Sequence, residues 1–177
     1  MKAIGDMTVG ELGAMVATHL AGKGIDVVLS GGACVMIYAE GRYVSYDLDL
    51  VQTGAAPRAT LRQALGEIGF SERGRCFVHE DSRFVLDFPA PPLAVGREPP
   101  RQIETLSYET GVLRALSPTD CVKDRLANYY HFNDMPSLEQ AILVARSRTV
   151  DIEELRRWSA NEGMAAKFEE VADSLTS

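Results

Sequence analysis

The sequence predicts a mixed α/β fold: a twisted mixed sheet flanked by helices, followed by a C-terminal helical half. Three observations carry this. Up to residue 116, short apolar runs with period-two alternation, such as Asp47-Leu48-Asp49-Leu50 and Phe84 to Phe88, are interleaved with segments of helical spacing. From Ser117 onward the strand signals stop and capped helical segments follow one another. The length of 177 residues, 46% hydrophobic and 24% charged, suits one well-buried domain or a domain with a helical appendage. We therefore divide the chain into an α/β core, residues 1–116, and a helical region, residues 117–177, packed on it around a shared core.

Met7 to Leu20 reads as an amphipathic helix. Thr8 can cap it, Glu11 stands where a capping box needs it, and Leu12, Met15, Val16 and Leu20 recur at helical spacing. Gly22 and Gly24 end it before a strand from Asp26 to Leu29. Ser30-Gly31-Gly32 follows, then a helix from Ala33 to Tyr38 closed by Gly41. Tyr46 to Val51 is the next strand. Pro57 takes a first-turn position in a helix defined by Leu61, Ala64, Leu65 and Ile68 and ended by Gly69. Cys76 to His79 and Phe84 to Phe88 form a hairpin across Glu80-Asp81-Ser82, residues 93–100 form a proline-rich loop, and Ile103 to Ser107 pairs with Val112 to Ala115. Ser117-Pro118-Thr119-Asp120 opens a helix that runs to about His131. Ser137 and Asp151 read as later N-caps, with Gln140 and Glu154 three residues on, and a last helix spans Gly163 to Leu175.

Composition narrows the function. A net charge of −7 argues against broad, sequence-independent binding to duplex DNA or RNA. No apolar run approaches the roughly 20 residues that span a bilayer, and the N-terminal segment lacks a signal-peptide core, so a cytoplasmic location with no membrane partner is expected. Cys34, Cys76 and Cys121 are expected to be small buried hydrophobes rather than redox or metal groups. His79 and His131 read as packing or surface residues, and the run Tyr129-Tyr130-His131-Phe132 and Trp158 read as packing residues. Arg146, Arg148, Arg156 and Arg157 read as a solvated face, with an RNA contact as the minor alternative.

The chemistry lies between Val27 and Asp87. A short strand followed by paired glycines brings backbone N–H groups close to a phosphate at a helix N-terminus. Asp47 and Asp49 share one face of their strand, Leu48 and Leu50 the other. Two carboxylates side by side repel unless a cation lies between them. Asp87 is a third acid on a strand whose other face is apolar. Together these residues suggest a divalent metal beside a phosphate-binding turn.

Gly31-Gly32, Ser45-x-Asp47-x-Asp49 and Asp87 resemble the DNA polymerase β-like nucleotidyltransferase superfamily. Within it the chain is most similar to the abortive-infection nucleotidyltransferases and related toxins, over residues 25 to 90. Ala33 stands where many members carry Ser, so one hydroxyl contact to phosphate is missing. The resemblance implies a nucleotidyltransferase-type core that moves NMP from an NTP, such as ATP, to a hydroxyl of RNA or protein. Asp47, Asp49 and Asp87 would be both catalytic and metal-binding, holding two Mg²⁺ ions during turnover. Ser30, Gly31, Gly32, Ser45 and Arg42 would contact the nucleotide phosphates. Lys123 or Arg125 would add positive charge from the helical half. They lie about 200° apart around a helix, so one of them faces the site, and the resemblance favours Lys123. A toxin or phage-defence role with a cognate antitoxin is likewise implied. The alternative is a catalytically silent binding or scaffold protein with this fold.

Overall fold

The structure, a computed structural model, describes residues 1–176. Thr8 caps helix α1 (Val9–Ala21) in the reciprocal manner that the spacing predicts. Thr8 Oγ1 accepts from Glu11 N, and Glu11 Oε2 accepts from Thr8 N. Strand β1 (Val27–Ser30), buried at every position, runs into helix α2 (Gly31–Tyr38) with no loop between. Strand β2 (Asp47–Gln52) and helix α3 (Arg58–Gly66) follow. Pro57 caps α3 from outside instead of forming part of its first turn.

The hairpin expected between residues 76 and 88 is present as β4 (Cys76–Val78) and β5 (Val85–Asp87), antiparallel with Phe77 opposite Leu86. A short strand preceding them, β3 (Ser71–Arg73), carries no sequence signal, because three polar residues show no apolar alternation. It exists through backbone pairing with β4 at the sheet edge. Strands β6 (Ile103–Tyr108) and β7 (Gly111–Leu116) pair as the expected antiparallel hairpin.

Among the described residues these seven strands make one mixed sheet in the order β3-β4-β5-β2-β1-β7-β6. The central register matters most for function. Strand β2 runs antiparallel to β1, with Ser30 opposite Asp49, and parallel to β5, with Asp49 opposite Asp87. Directly opposed residues point to the same face of a sheet. The backbone thus sets Asp49 beside Asp87 while Leu48, Leu50 and Leu86 go to the core.

The remaining chain is helical: α4 (Pro118–Phe132), α5 (Met135–Ser147), α6 (Ile152–Asn161) and α7 (Ala165–Thr176). Ser117 and Asp151 cap α4 and α6 as expected. The start of α5 differs. Asp134, not Ser137, is its cap: Asp134 Oδ2 accepts from Ser137 N, which makes Ser137 the third helical residue. Pro136 fits in the first turn because its missing N–H has no helical partner to lose.

One hydrophobic cluster joins the two parts, running from Leu12, Leu48 and Leu86 to Leu126, Leu155, Trp158 and Phe168. Trp158 is fully buried, stacks on Tyr130 and donates its indole N–H to Val95 O at 3.0 Å, tying α6 to the proline-rich segment. Cys34 and Cys121 are buried as expected, and burial, reinforced by the adjacent Cys121, raises the Cys34 thiol well above its ordinary range. Three of the four arginines on the face of the helical half are ion-paired: Arg148 with Glu40, Arg156 with Glu153 and Glu169, Arg157 with Glu98 and Glu154, while Arg146 Nε donates to Ser174 O at 3.3 Å. Among the described residues no helix is long and apolar enough to cross a membrane.

Candidate active site

The start of β2, the end of β5 and the start of α2 border a cleft of about 280 Å³, lined by Gly32, Tyr43, Ser45, Asp47, Asp49, Arg75, Cys76, Asp87 and Arg125. A second lobe of about 270 Å³ continues from Asp49 and Arg125 past Ser30, Gly31 and Asp124 to the segment Pro89–Ala94. The three acids singled out in the sequence, distant along the chain, therefore open on one space, with the glycine turn at its edge.

Among the described residues, the Asp47 and Asp49 carboxylates accept no hydrogen bond and form no ion pair. Asp87 is engaged: Oδ1 accepts from Phe88 N at 2.9 Å, and Oδ2 lies 3.5 Å from a terminal guanidinium nitrogen of Arg75, a side chain 85% exposed. Burial first, and then the negative charge of Asp87, raise the Asp49 carboxyl to about 6; Arg125 opposes them, and Asp124 and Asp47 add smaller pushes upward. Two carboxylates without partners on β2, with a third acid opposite on β5 that repels Asp49, are the donor chemistry that suits Mg²⁺. As the side chains stand, no three acidic, histidine or cysteine residues among those described enclose a single ion position. Asp87 is held by Phe88 N and Arg75.

The glycine turn is tied to the acids by sterics. Gly31 has φ +69°, and a Cβ there would collide with Asp49 Oδ2. Only glycine combines that backbone conformation with room for the carboxylate. Gly31→Ala is expected to lose about 1–3 kcal/mol of stability and to displace Asp49. Thermal denaturation alongside an activity assay checks both, and an unchanged melting temperature would contradict the steric argument.

Two expected phosphate contacts lie elsewhere. Lys123 is fully buried, with Nζ 2.9 Å from Asp120 Oδ1 and 2.8 Å from Glu154 Oε1, on the side of α4 away from the acid cleft. Arg125, on the other side of the helix, is the one of the two that reaches the cleft. Desolvation works against its charge, but Asp124, which its Nε and a terminal nitrogen both contact, keeps its net pKa raised. The reason is packing: α6 brings Glu154 to the buried side of α4, and a buried carboxylate takes the nearest ammonium. Arg42 is the second correction. Its Nε donates to Ala39 O at 3.2 Å and a terminal nitrogen donates to Ser147 Oγ at 2.7 Å, so it fastens the loop after α2 to α5. Ser30, Gly31, Gly32 and Ser45 all border the cleft or its second lobe.

Sequence reasoning missed Tyr43, Arg75, Cys76 and Asp124. Cys76 is half-buried at the cleft instead of in the core. The hairpin held the clue: continuing its register from Phe77 opposite Leu86 places Cys76 across from Asp87 and Arg75 just beyond.

Comparison with solved structures fits this geometry. The chain is similar to an antigenic nucleotidyltransferase-like protein from Paracoccidioides brasiliensis, with a TM-score of 0.62 and 14% identity over 94% of this chain and 91% of the other. It is also similar to ANT(2")-Ia, solved in complex with adenylyl-2"-tobramycin, with a TM-score of 0.50 and 15% identity over 88% of this chain and 94% of the other. No protein-family model matches the chain, and no curated protein matches it. At these identities the likeness defines the fold: the chain has a nucleotidyltransferase-like architecture.

Proposed function

We propose that this protein transfers NMP from an NTP to an acceptor hydroxyl, with Mg²⁺ held by Asp47, Asp49 and Asp87. The observation that carries the reading is the convergence of these three acids, two without a partner among the described residues, on one cleft beside a glycine turn. The nucleotidyltransferase-like fold of the neighbours supports it. Bound Mg²⁺ would supply Lewis acidity toward the phosphoryl oxygens and neutralise phosphate charge. The backbone at Gly31 and Gly32 would admit the triphosphate close to the N-terminus of α2. Arg125 would counter phosphate charge from the helical half. Asp87, once released from Arg75, would orient the acceptor hydroxyl, whose oxygen bonds to the α-phosphorus as the bond to pyrophosphate breaks. The hydroxyl proton would pass to a cleft carboxylate.

The acceptor is a hydroxyl on a protein or a small molecule in preference to RNA. The acids of the cleft outnumber its arginines, and Arg148, Arg156 and Arg157 already have carboxylate partners, which disfavours a polyanionic acceptor. The neighbour solved with adenylyl-2"-tobramycin supports a small acceptor. A toxin role with an antitoxin partner rests on the motif resemblance.

One observation favours a second reading, the catalytically silent scaffold: Arg75 already stands against Asp87. Incubation with Mg²⁺ and each α-labelled NTP, offering RNA, protein and amino-alcohol acceptors in turn, separates the two. The enzyme reading expects pyrophosphate release and a labelled acceptor, both lost on chelation. Nucleotide binding with no product from any acceptor would favour the scaffold.

A further inference from the structure

The loop between α2 and β2 places an unassigned hydroxyl in the cleft. Arg42 anchors that loop outward, to Ser147 Oγ and Ala39 O, and Ser45 N donates to Met36 Sδ at 3.5 Å, so the residues on either side of Tyr43 and Val44 are held. Tyr43 faces the other way, into the acid cleft. Its ring is half-buried, and its Oη has no hydrogen-bond partner among the described residues. That oxygen lies 3.3 Å from the point a Cβ on Gly32 would occupy, and Ser45 Oγ lies 3.1 Å from the same point. Ser45 Oγ is already engaged with the backbone of Asp47, as a donor to its O at 3.1 Å and an acceptor from its N at 3.4 Å. Tyr43 therefore carries the free hydroxyl donor beside the bare face of the glycine turn.

We propose that Tyr43 is a nucleotide-binding residue whose Oη–H donates to a phosphoryl oxygen of the bound NTP. This rests on the nucleotidyltransferase reading above and adds a specific contact to it. The chemistry explains two features of the turn together. Ala33 removes the side-chain hydroxyl that could meet phosphate from α2 itself, and Gly32 leaves the approach to Tyr43 clear. A hydrogen bond from a neutral donor to a charged phosphate is worth more than one between neutral groups, and a phenol held by its loop gives up little freedom on making it. Tyr43 thus binds phosphate where Arg42 was expected to, one residue away on the opposite side of the loop.

The test compares wild-type protein with Tyr43→Phe by calorimetric titration of a non-hydrolysable NTP in Mg²⁺, and of the matching nucleoside. The expected result is an NTP affinity lower by about tenfold in Tyr43→Phe, with nucleoside affinity unchanged. The melting temperature without nucleotide should stay the same, because the deleted hydroxyl has no protein partner. Equal NTP affinity in the two proteins overturns the assignment and leaves the nucleotidyltransferase reading standing. An equal loss for NTP and nucleoside also overturns it, since the hydroxyl would then contact the nucleoside and not the phosphates. A wild-type protein that binds no NTP withdraws both this contact and the reading beneath it.

Discussion

Replacing Asp49 by asparagine is expected to abolish nucleotidyl transfer while making the protein more stable at pH 8. The loss of activity should reach at least about 10³-fold, because several kcal/mol of charge stabilisation depends on a metal-binding carboxylate and each 1.36 kcal/mol is a factor of ten. The gain in stability follows from the titration of Asp49. Its carboxyl is raised to about 6 in the folded protein, from an ordinary value of 3.8, by burial and then by Asp87. An acid shifted upward holds its proton more tightly in the folded state. Its favourable effect is complete below pH 3.8, is lost as pH rises through about 6, and stays lost above that. With allowance for partial solvent access, the penalty at pH 8 is on the order of 1–2 kcal/mol. The amide that replaces the carboxylate in Asp49→Asn carries no charge. The melting temperature of that variant at pH 8 should therefore exceed that of the wild type by about 2–6 °C, and the gap should close near pH 4. Mg²⁺ should raise the wild-type melting temperature and leave Asp49→Asn unmoved. Turnover retained by the variant would remove Asp49 from the chemistry. A lower melting temperature at pH 8 would mean that the carboxylate stabilises the fold instead of straining it.

Replacing Lys123 by methionine should instead destabilise the fold severely. Its ammonium is 0% exposed and lies between Asp120 and Glu154, which in turn hold the chain around Arg101 and Gln102. Asp120 Oδ2 accepts from both backbone N–H groups, while Asp120 Oδ1 has the Lys123 charge beside it and no hydrogen bond of good geometry. Methionine fills the volume of the stem but leaves that oxygen without a counter-charge. Glu154 keeps Arg101 and Arg157, so the damage concentrates at Asp120. Removing one partner of a buried ion pair costs about 3–5 kcal/mol. The melting temperature should fall by about 6–15 °C. NTP affinity of the protein that remains folded should match the wild type. A lysine that touched phosphate would show the reverse: weakened nucleotide binding with a nearly unchanged melting temperature.

The contrast between these two residues shows where local patterning stops being informative. Alternation along Asp47-Leu48-Asp49-Leu50 is a one-dimensional fact, because a strand has period two and the apolar residues must turn inward. The acids were therefore legible as a pair facing away from the core, and the reciprocal cap at Thr8 and Glu11 was legible for the same kind of reason. The start of α5 was less so, since Asp134 and Ser137 both have side chains that can cap and the choice between them turned on the backbone path into Pro136.

The choice between Lys123 and Arg125 was not legible at all. Their angular separation on α4 says that they diverge, and it says nothing about which of them meets the sheet. That depended on α6 bringing Glu154 against one side of α4, a contact 31 residues away along the chain. The same holds for Tyr43 and Arg42, whose directions were set by Ser147 on α5, and for Arg75, which reaches Asp87 through strand register. Short-range sterics and periodicity are written residue by residue. Which partner a charged side chain finds depends on the desolvation and proximity that packing creates, and those exist only once the helices have docked.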